Sequence, residues 1–548
     1  MWKLLIWIPL LLVGALTNNM AHATVYIIAS TGSDANDCLP ANPCATSTRT
    51  YSFAVRGDTV GWIPSATMYT STGNPGAHPG GITAATFLPD NSNYITLIGL
   101  GDRNTADGWG DIRWATSSVI FNGYPEPFSV DKSSYIVMKN FYSVDNDGAM
   151  PIRDSNHIKM IKIGMKNPTP HASQYTSGVG LNSASDAGQI YGTSNCLLED
   201  VWVIGEARYS VLVGGTLGFS ENNILRRVVV RWDGNSGNQP SAGISIYGET
   251  GGVDGARHAW LQNCLVIDSN ADSFKVGANL YGMIYLPHSV TRVNVHDSIV
   301  FANAGGYGTI PGEDSASSNT INNSLFFGQT GPGIFTNSVN ITSTTVRGNT
   351  IGWTSGAGFD HNGGSGYRFE NNQYFRLGGA VDAADVDDFN GYFPSTANTA
   401  GSTNENTNDP SMTIGSSVNP TSTQYGGGLG GKNIGCTIDF KRGKNGTLKD
   451  DVGWNDIQTD QPVFPWPYEA QLKGLMAKQD TGDAATNNSA NNETRGWAGS
   501  AVALADYTYA GVKLGVAANA QAESDPAQQI RNIEMRGTIE YRNSLQIR

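Results

Sequence analysis

The stretch NCLVI, residues 263–267, is one copy of a short motif that recurs along the chain. In each copy a small or polar residue is followed by strand-forming side chains. Asparagine often precedes the motif, as at Asn263, Asn323, Asn349 and Asn372. The copies are DVWV (200–203), RVVV (227–230), CLVI (264–267), SIVF (298–301), SLFF (324–327), TIGW (350–353) and QYF (373–375).

A repeated strand separated by loops of unequal length predicts a parallel β-helix, a solenoid in which each coil buries its apolar face on the next coil. Equivalent residues of successive coils then lie about 4.8 Å apart and form ladders. The recurring asparagines, and the shared Asn-Cys-Leu setting of Cys196 and Cys264, predict ladders inside the coils or at their corners. YIVMKNF (135–141) and HIKMIKI (157–163) are predicted to be earlier rungs.

Residues 1–23 have the features of a cleaved signal peptide. Lys3 precedes an apolar segment that is too short for a membrane anchor, and Ala21-His22-Ala23 fits a cleavage site. No later stretch approaches the roughly 20 apolar residues that a membrane helix needs. We therefore expect a secreted protein, extracellular or at the cell surface, that begins near Thr24.

The composition favours strands and turns over helices, with 67 glycines and only 15% charged residues. The formal net charge is −13. Binding to nucleic acid through phosphates needs clustered lysine and arginine, so a nucleic-acid partner is not expected.

The five cysteines are expected to fall into three groups. Cys38 and Cys44 end a short loop that a disulfide can close in an oxidising compartment. Cys196 and Cys264 are predicted to be buried free thiols in strands, and Cys436 is left over. Because no pair has CxxC spacing, we expect no zinc site.

The chain divides into six predicted segments. They are a signal peptide (1–23), a β-helix with an N-terminal cap (24–398), a Gly/Ser/Asn-rich excursion or linker (399–432), a closing segment packed on the β-helix (433–478), a flexible spacer (479–496) and a tail with a strand-forming end (497–548). The alternation near the C-terminus suits a strand that pairs with an exposed sheet edge, so self-association through this tail is expected.

Two segments carry a resemblance to a known group of proteins. The start of the mature chain, with GSD at 32–34 and GDTV at 57–60, resembles the entry segment of secreted pectate-lyase-like proteins, and TDQPVFPWPYEAQLKGLM (459–476) resembles a closing element of that group. The resemblance implies an all-β fold, a right-handed single-stranded parallel β-helix with a C-terminal extension. Fold alone does not carry activity.

A narrower resemblance concerns NADSFKVGANLYG, residues 270–282. It is similar to a stretch of calcium-dependent polysaccharide lyases that use a lysine base, with Ser273 where that pattern has glycine. The resemblance implies a metal ligand at Asp272 and a base at Lys275.

Aligning the strands VWV, VVV and LVI predicts a charged corner on three neighbouring coils. The first position after each strand is then Ile204, Arg231 or Asp268. The third and fifth positions add four charged residues, so the expected cluster is Glu206, Arg208, Arg231, Asp233, Asp268 and Asp272.

Three interpretations of this corner remain open. It can be a structural ion-pair ladder, although surface pairs contribute only about 0–1 kcal/mol each. As a lyase site, Asp233, Asp268 and Asp272 would hold Ca²⁺, with Lys275, Arg231 and Arg208 as base and carboxylate-binding residues. As a hydrolase site, Glu206 with Asp233, or Asp233 with Asp268, would be the paired carboxylates. Glu206, Trp232 and Tyr247 are the candidate substrate contacts.

The sequence thus predicts an exported protein that binds an extracellular polysaccharide and cleaves it, with lyase-type β-elimination favoured over hydrolysis. Calcium is the expected metal, and no organic cofactor is expected. The competing hypothesis is a non-catalytic structural, adhesive or filament-forming protein, since a β-helix is a long rigid body.

Overall fold

The computed structural model describes the chain in segments. They are residues 23–64, 69–73, 76–83, 85–87, 92–100, 119–122, 124, 127–144, 150–166, 177–182, 192–205, 209–214, 220–232, 242–247, 256–268, 282–286, 292–302, 307–311, 318–327, 333–336, 344–347, 349–352, 359–361, 365–375, 386–388, 390–393, 435–436, 438 and 440–463. The predicted signal peptide up to residue 22, the linker 399–432, the spacer and the tail lie outside the described residues.

Most coils in the described residues contribute strands to three faces. In one coil these are Leu197–Glu199, Trp202–Gly205 and Tyr209–Gly214. Each strand pairs in parallel with its equivalent in the next coil, so that Leu197 lies opposite Ile224. The protein is therefore a right-handed parallel β-helix, as its sequence predicts.

The first and second faces form one continuous sheet in the described residues. The first face contains Val25–Ile28, Thr59–Trp62, Ile95–Gly99, Leu197–Glu199, Ile224–Arg226, Trp260–Gln262, Asn294–His296, Thr320–Asn322, Thr345–Arg347, Arg368–Glu370 and Val386–Asp388. The second face contains Tyr69–Thr70, Ile120–Asn122, Trp202–Gly205, Val229–Trp232, Leu265–Asp268, Ile299–Ala302, Leu325–Phe327, Thr350–Gly352, Gln373–Phe375 and Gly391–Phe393. Ser134–Val144 and Asn156–Lys166 run through both faces.

The third face is a separate sheet. It contains Ile82–Thr83, Val130–Asp131, Met150–Arg153, Ser177–Asn182, Tyr209–Gly214, Ala242–Tyr247, Gly282–Leu286, Tyr307–Pro311, Ile334–Thr336 and Phe359–His361. Three further elements are the short pair Ser220–Glu221 and Ala256–Arg257, the antiparallel pair Phe440–Arg442 and Ile457–Pro462, and the helix Ser47–Tyr51.

One residue in the left-handed backbone conformation turns the chain from the first face to the second. The φ angles at this corner are 54° at Asp200, 51° at Arg227, 51° at Asn263 and 50° at Asp297. Asparagine and aspartate tolerate this conformation because their short polar side chains bond locally. Arg227 departs from that preference, and its side chain has a specific partner, described below.

The residue after this corner points into the core and forms a ladder. In the later coils its members are Cys264, Ser298, Ser324, Asn349, Asn372 and Asn390, all buried. Each side chain from Ser298 onward accepts a hydrogen bond from the backbone N–H of the preceding member. The predicted ladder of asparagine and cysteine positions is confirmed, because a buried N–H at a corner needs an acceptor that the sheet cannot supply.

The two Asn-Cys-Leu settings occupy different ladders. Cys264 belongs to the ladder between the first and second faces, whereas Cys196 begins the first face and donates its N–H to Asn223 Oδ1 at 3.0 Å. Both are buried free thiols, as predicted, and Cys436 is also free and buried. Burial raises the pKa of both Cys196 and Cys264 to about 12, so these thiols stay protonated.

The predicted disulfide between Cys38 and Cys44 is present and lies against the first strand. Ile27 donates its N–H to Cys38 O at 2.6 Å, and Cys44 donates its N–H to Ile27 O at 3.0 Å. These bonds cover the free edge of Val25–Ile28, which would otherwise present unpaired backbone groups. The loop therefore caps the N-terminal end of the solenoid.

Candidate functional site

The predicted charged corner lies where the second face ends. Trp202–Gly205, Val229–Trp232 and Leu265–Asp268 are parallel, adjacent and in register. The third-face strands that follow them, Tyr209–Gly214 and Ala242–Tyr247, are also in register. Three consecutive coils therefore bring their strand ends to one corner, between the second and third faces.

The structure describes only part of the predicted site. The backbone of Arg231, Trp232 and Asp268 is placed at the ends of the second-face strands. Five predicted residues lie outside the described residues, in the stretches that join these strands to the third face: Glu206, Arg208, Asp233, Asp272 and Lys275.

The backbone of Tyr247 stands apart from this corner. It ends the six-residue strand Ala242–Tyr247, which leads away from the corner and spans about 16 Å. Its ring centroid lies 6.5 Å from that of Tyr209. In the register Tyr247 lies opposite Gly214, whereas Tyr209 begins the neighbouring strand and lies opposite Ala242. The backbone of Tyr247 is thus far from the second-face strand ends, while its ring lies next to that of Tyr209, the first third-face residue of the preceding coil.

The register predicted for the corner is wrong by one residue in its third coil. Arg231 pairs with Ile267, and Asp268 pairs with Trp232. The cause is Cys264, which is buried in the inward ladder opposite Val228. A small apolar thiol fills an inward position as valine does, so the strand alignment has to begin at Cys264 and not at Leu265.

The arginines of the stretch 226–233 are divided between two corners. Arg231 lies at the corner between the second and third faces, whereas Arg226 and Arg227 lie four or more residues earlier, at the corner between the first and second faces. The side chains of Arg226 and Arg227 are 0% and 1% exposed. Their partners are acidic residues of the preceding coil and residues 440–463, which we call the C-terminal strap.

Arg226 uses all five of its N–H donors. Nε donates to Gln262 Oε1 at 2.9 Å, and one terminal nitrogen donates to Glu199 Oε2 at 2.8 Å. The remaining three donors reach strap carbonyl oxygens, at Lys444 (2.7 Å), Thr447 (3.3 Å) and Trp454 (2.9 Å). Such saturation is what allows a guanidinium to be buried.

The neighbouring residue extends this network. Arg227 Nε donates to Asp200 Oδ1 at 2.5 Å, and a terminal nitrogen donates to Asn445 Oδ1 at 2.8 Å. Burial lowers the pKa of Arg226, whereas Asp200 and Glu199 outweigh burial and raise the pKa of Arg227. Arg227 thus adopts an unusual backbone conformation while its side chain is fixed by two partners.

The strap makes further polar contacts along the same corner. Gly446 donates its N–H to Glu199 Oε2 at 2.9 Å, and Arg442 donates its N–H to Asn263 Oδ1 at 2.5 Å. The Arg442 side chain pairs with Asp297. Gly443 has a φ of +75°, and a Cβ there would lie 2.5 Å from Arg226 Nε. Glycine is therefore needed where the strap crosses Arg226.

An apolar cluster fixes the strap on the outer side of the first face. Leu197, Ile224 and Trp260 are in register on three coils and pack with Leu448 and Trp454. The rings of Trp260 and Trp454 meet edge to face at 5.0 Å. In the next coil Asn294 takes this outer position. The outer column is thus apolar where the strap covers it and polar in the next coil. These outward apolar residues were the sequence signal that could have predicted a covering segment.

The side chain of His296, next to Arg442 of the strap, makes the stability of this corner depend on pH. Burial first, and then the charge of Arg442, lower its pKa to about 3. Between pH of about 6.5 and 3, His296 is protonated in the unfolded chain but neutral in the native state. The free energy of unfolding therefore falls as pH falls through that window.

We expect His296→Gln to flatten this decline. Burial raises the pKa of Asp297 despite Arg442, which acts in the opposite direction, so the comparison of variant with parent isolates the histidine. Urea unfolding at several pH values between about 7 and 4 measures the difference. Parallel pH curves for the two proteins would contradict the assignment of a buried neutral histidine.

Among the described residues, no group of three or more His, Cys, Asp or Glu side chains is arranged to hold a metal ion. Of the three predicted calcium ligands only the backbone of Asp268 is described, and its carboxylate is of the type that Ca²⁺ prefers. In the same part of the chain, no helix is long and apolar enough to cross a membrane.

Among known proteins, the chain is similar only to solved structures. No protein-family model and no curated protein matches the sequence. Solved structures that align include XylC with xylose (10% identity, 71% of this chain and 87% of that chain, TM-score 0.45). A pectate lyase aligns at 13% identity (80% and 90%, TM-score 0.38), and the A-module of a mannuronan C-5 epimerase from Azotobacter vinelandii at 10% (60% and 88%, TM-score 0.37).

Proposed function

We propose that the chain is an exported polysaccharide-binding protein that cleaves an acidic polysaccharide by β-elimination at the corner between the second and third faces. The observation that carries this proposal is that three second-face strands end there in register, on coils about 4.8 Å apart, and place Arg231, Trp232 and Asp268 at their ends. An extended polymer lying along the rod would cross the strand ends of all three coils. The proposed substrate class is pectate, the polysaccharide in the name of the pectate lyase compared above.

The chemistry assigns a role to each candidate residue. In β-elimination a base removes the proton next to the uronate carboxylate, a carbon–carbon double bond forms, and the glycosidic oxygen leaves with its electron pair. Lys275 is the proposed base. Arg231 and Arg208 would neutralise the substrate carboxylate, and Glu206 and Trp232 would contact neighbouring sugars.

Calcium would be held by carboxylates of Asp233, Asp268 and Asp272. When bound, the ion would supply positive charge that stabilises the carboxylate-bearing intermediate. Trp232 and Asp268 are adjacent in the observed register, so the proposed metal and sugar contacts belong to neighbouring rungs.

The first experiment is a panel of polysaccharides assayed on residues 24–548, with and without Ca²⁺. The ultraviolet absorbance of unsaturated uronate ends is followed beside a reducing-sugar assay. We expect a calcium-dependent rise in absorbance. Reducing ends without absorbance would replace the lyase by a hydrolase, and silence in both assays would favour a non-catalytic adhesive or structural protein.

Two substitutions test the assigned residues. We expect Lys275→Ala and Arg231→Ala each to lower turnover by about 100-fold or more, since a positioned base contributes roughly 10²–10⁴-fold and a group that stabilises developing negative charge contributes roughly 10²–10³-fold. Lys444→Gln is the matched control, because Lys444 is an exposed cation on the strap. Unchanged turnover in both alanine variants would reject the proposed site.

A further inference from the structure

The outer side of the first face changes character beyond the apolar cluster under the strap. The outward column next to the corner runs through Asn322, Arg347 and Glu370 on consecutive coils. In the parallel outward column, Thr345 lies opposite Arg368. Two arginines and a glutamate therefore meet on adjacent rungs of the sheet.

Glu370 orients both arginines. Its side chain is 1% exposed, while those of Arg347 and Arg368 are 41% and 51% exposed. Each carboxylate oxygen pairs with one arginine: Oε1 with Arg368 Nε and Oε2 with a terminal nitrogen of Arg347. Burial alone would raise the pKa of Glu370, but these two hydrogen bonds lower it, so the carboxylate stays ionised.

The two guanidinium groups keep donors that Glu370 does not use. Arg347 Nε is buried, but Arg347 pairs with Glu370 through one terminal nitrogen, which leaves the other terminal nitrogen for an external acceptor. Arg368 pairs through Nε, which leaves its terminal nitrogens for another acceptor. The three side chains together carry one net positive charge, and the next rung of the same column places the acidic residue Asp388 opposite Glu370, so the positive charge is concentrated on the Arg347 and Arg368 rungs.

Oriented arginines suit one kind of ligand. A guanidinium binds a carboxylate through two parallel hydrogen bonds, and fixing it in advance reduces the entropy lost on binding. Equivalent atoms on adjacent coils lie about 4.8 Å apart along the rod. A polymer that carries a carboxylate on each sugar and runs along the rod can offer successive carboxylates to the two arginines.

We propose that Arg347 and Arg368, oriented by Glu370, form a second binding site for the carboxylates of an acidic polysaccharide. This site is on the first face and is separate from the proposed catalytic corner. This inference rests on the proposed function in one respect, the acidic polysaccharide as the substrate class. Its role is to hold the polymer along the rod.

The test measures the affinity of the full exported chain for polygalacturonate at several salt concentrations. The principal variant is Arg347→Gln/Arg368→Gln/Glu370→Gln, which replaces all three charges and leaves no unpaired buried carboxylate. We expect its affinity to fall by about 10-fold or more, with a weaker dependence on salt. Lys444→Gln, which also removes one positive charge, is expected to stay within about twofold of the parent.

A milder variant keeps the test decisive if the triple variant fails to fold. Arg368→Gln leaves Arg347 paired with Glu370 and is expected to weaken binding severalfold. Unchanged affinity in a folded variant would overturn the proposal. Equal binding of monomeric galacturonate would show a small-anion site instead, and equal competition by duplex DNA would show a non-specific cationic surface.

The same proteins separate this inference from the proposed function. Lys275→Ala should lose turnover and retain binding at the first face, whereas the triple variant should retain turnover on short oligomers. If the parent protein produces no unsaturated ends but the triple variant still loses affinity, the catalytic proposal fails and the second site stands.

Discussion

Replacing Arg226 by methionine is expected to lower the free energy of unfolding by about 3–5 kcal/mol, because removing one partner of a buried ion pair leaves the other charge uncompensated. The variant would leave Glu199 buried with Gly446 N–H and Arg227 as its remaining partners. It would also remove the donor from three strap carbonyls, which must then find water or remain unbonded.

Arg226→Lys is expected to be intermediate. Lysine keeps the charge but has three donors for the five acceptors that surround Arg226, and it lacks the planar fork. Urea unfolding followed by tryptophan fluorescence measures the global effect, and hydrogen exchange of the strap measures the local one. Trp454 lies in the strap and reports its release.

Two controls make this prediction sharp. Lys444→Gln changes an exposed strap cation and should shift stability by less than about 0.5 kcal/mol. Adding Glu199→Leu to Arg226→Met removes the lone carboxylate and should recover part of the loss, but not the part due to the strap carbonyls. A loss below about 1 kcal/mol in Arg226→Met would show that the strap is not fastened by this residue.

Asn372→Asp is expected to be nearly as damaging at neutral pH, although the two side chains have almost the same shape. Asn372 is fully buried in the inward ladder. Its Nδ2 donates to Val346 O at 2.9 Å and to Asn390 Oδ1 at 3.1 Å. A carboxylate there would face two oxygen acceptors, so we expect a loss of about 3–5 kcal/mol.

The pH dependence of this variant distinguishes charge from shape. Burial against acceptors raises the pKa of the new carboxyl group in the native state above its unfolded value of about 3.9. The variant's stability is therefore best below the unfolded pKa and is lost as pH rises through the native pKa. Unfolding midpoints at about pH 4 and 7 measure this difference.

Asn42→Asp is the matched control, since Asn42 is exposed in the disulfide loop. It should show no such pH-dependent loss. If Asn372→Asp is as stable as the parent at neutral pH, the side-chain ladder is not the acceptor for the corner N–H groups. The same outcome would mean that water satisfies those groups.

The repeat was enough to predict the solenoid because every coil meets the same physical requirement. Cys264, Ser298 and Asn349 differ in chemistry, yet each is small enough to point inward after the corner. The motif therefore marked the strands correctly, but it did not fix the register of Leu265–Asp268. That register depends on which residue faces the core, and a cysteine gives no clear sign of its direction in the sequence.

The charged corner was only partly predictable, because residues that are close in sequence around a short strand can lie at different corners of the coil. Arg227 and Arg231 are four residues apart, but Arg227 forms the corner before the strand Val229–Trp232 and Arg231 is the third residue of that strand. Charge spacing along the chain could not show that separation. The strap partners of Arg226 lie 218–228 residues further along, and no local pattern connects them.

The sequence by itself determined the repeating coil, the inward ladder and the closure of the Cys38–Cys44 loop, since each depends on neighbouring residues and a local periodicity. Only the tertiary structure decided the register of Asp268, the burial of Arg226 under the strap and the pairing of Glu370 with two arginines. These features join residues from different coils or distant segments. Their energies depend on burial and on the number of partners, which exist only after the coils have stacked.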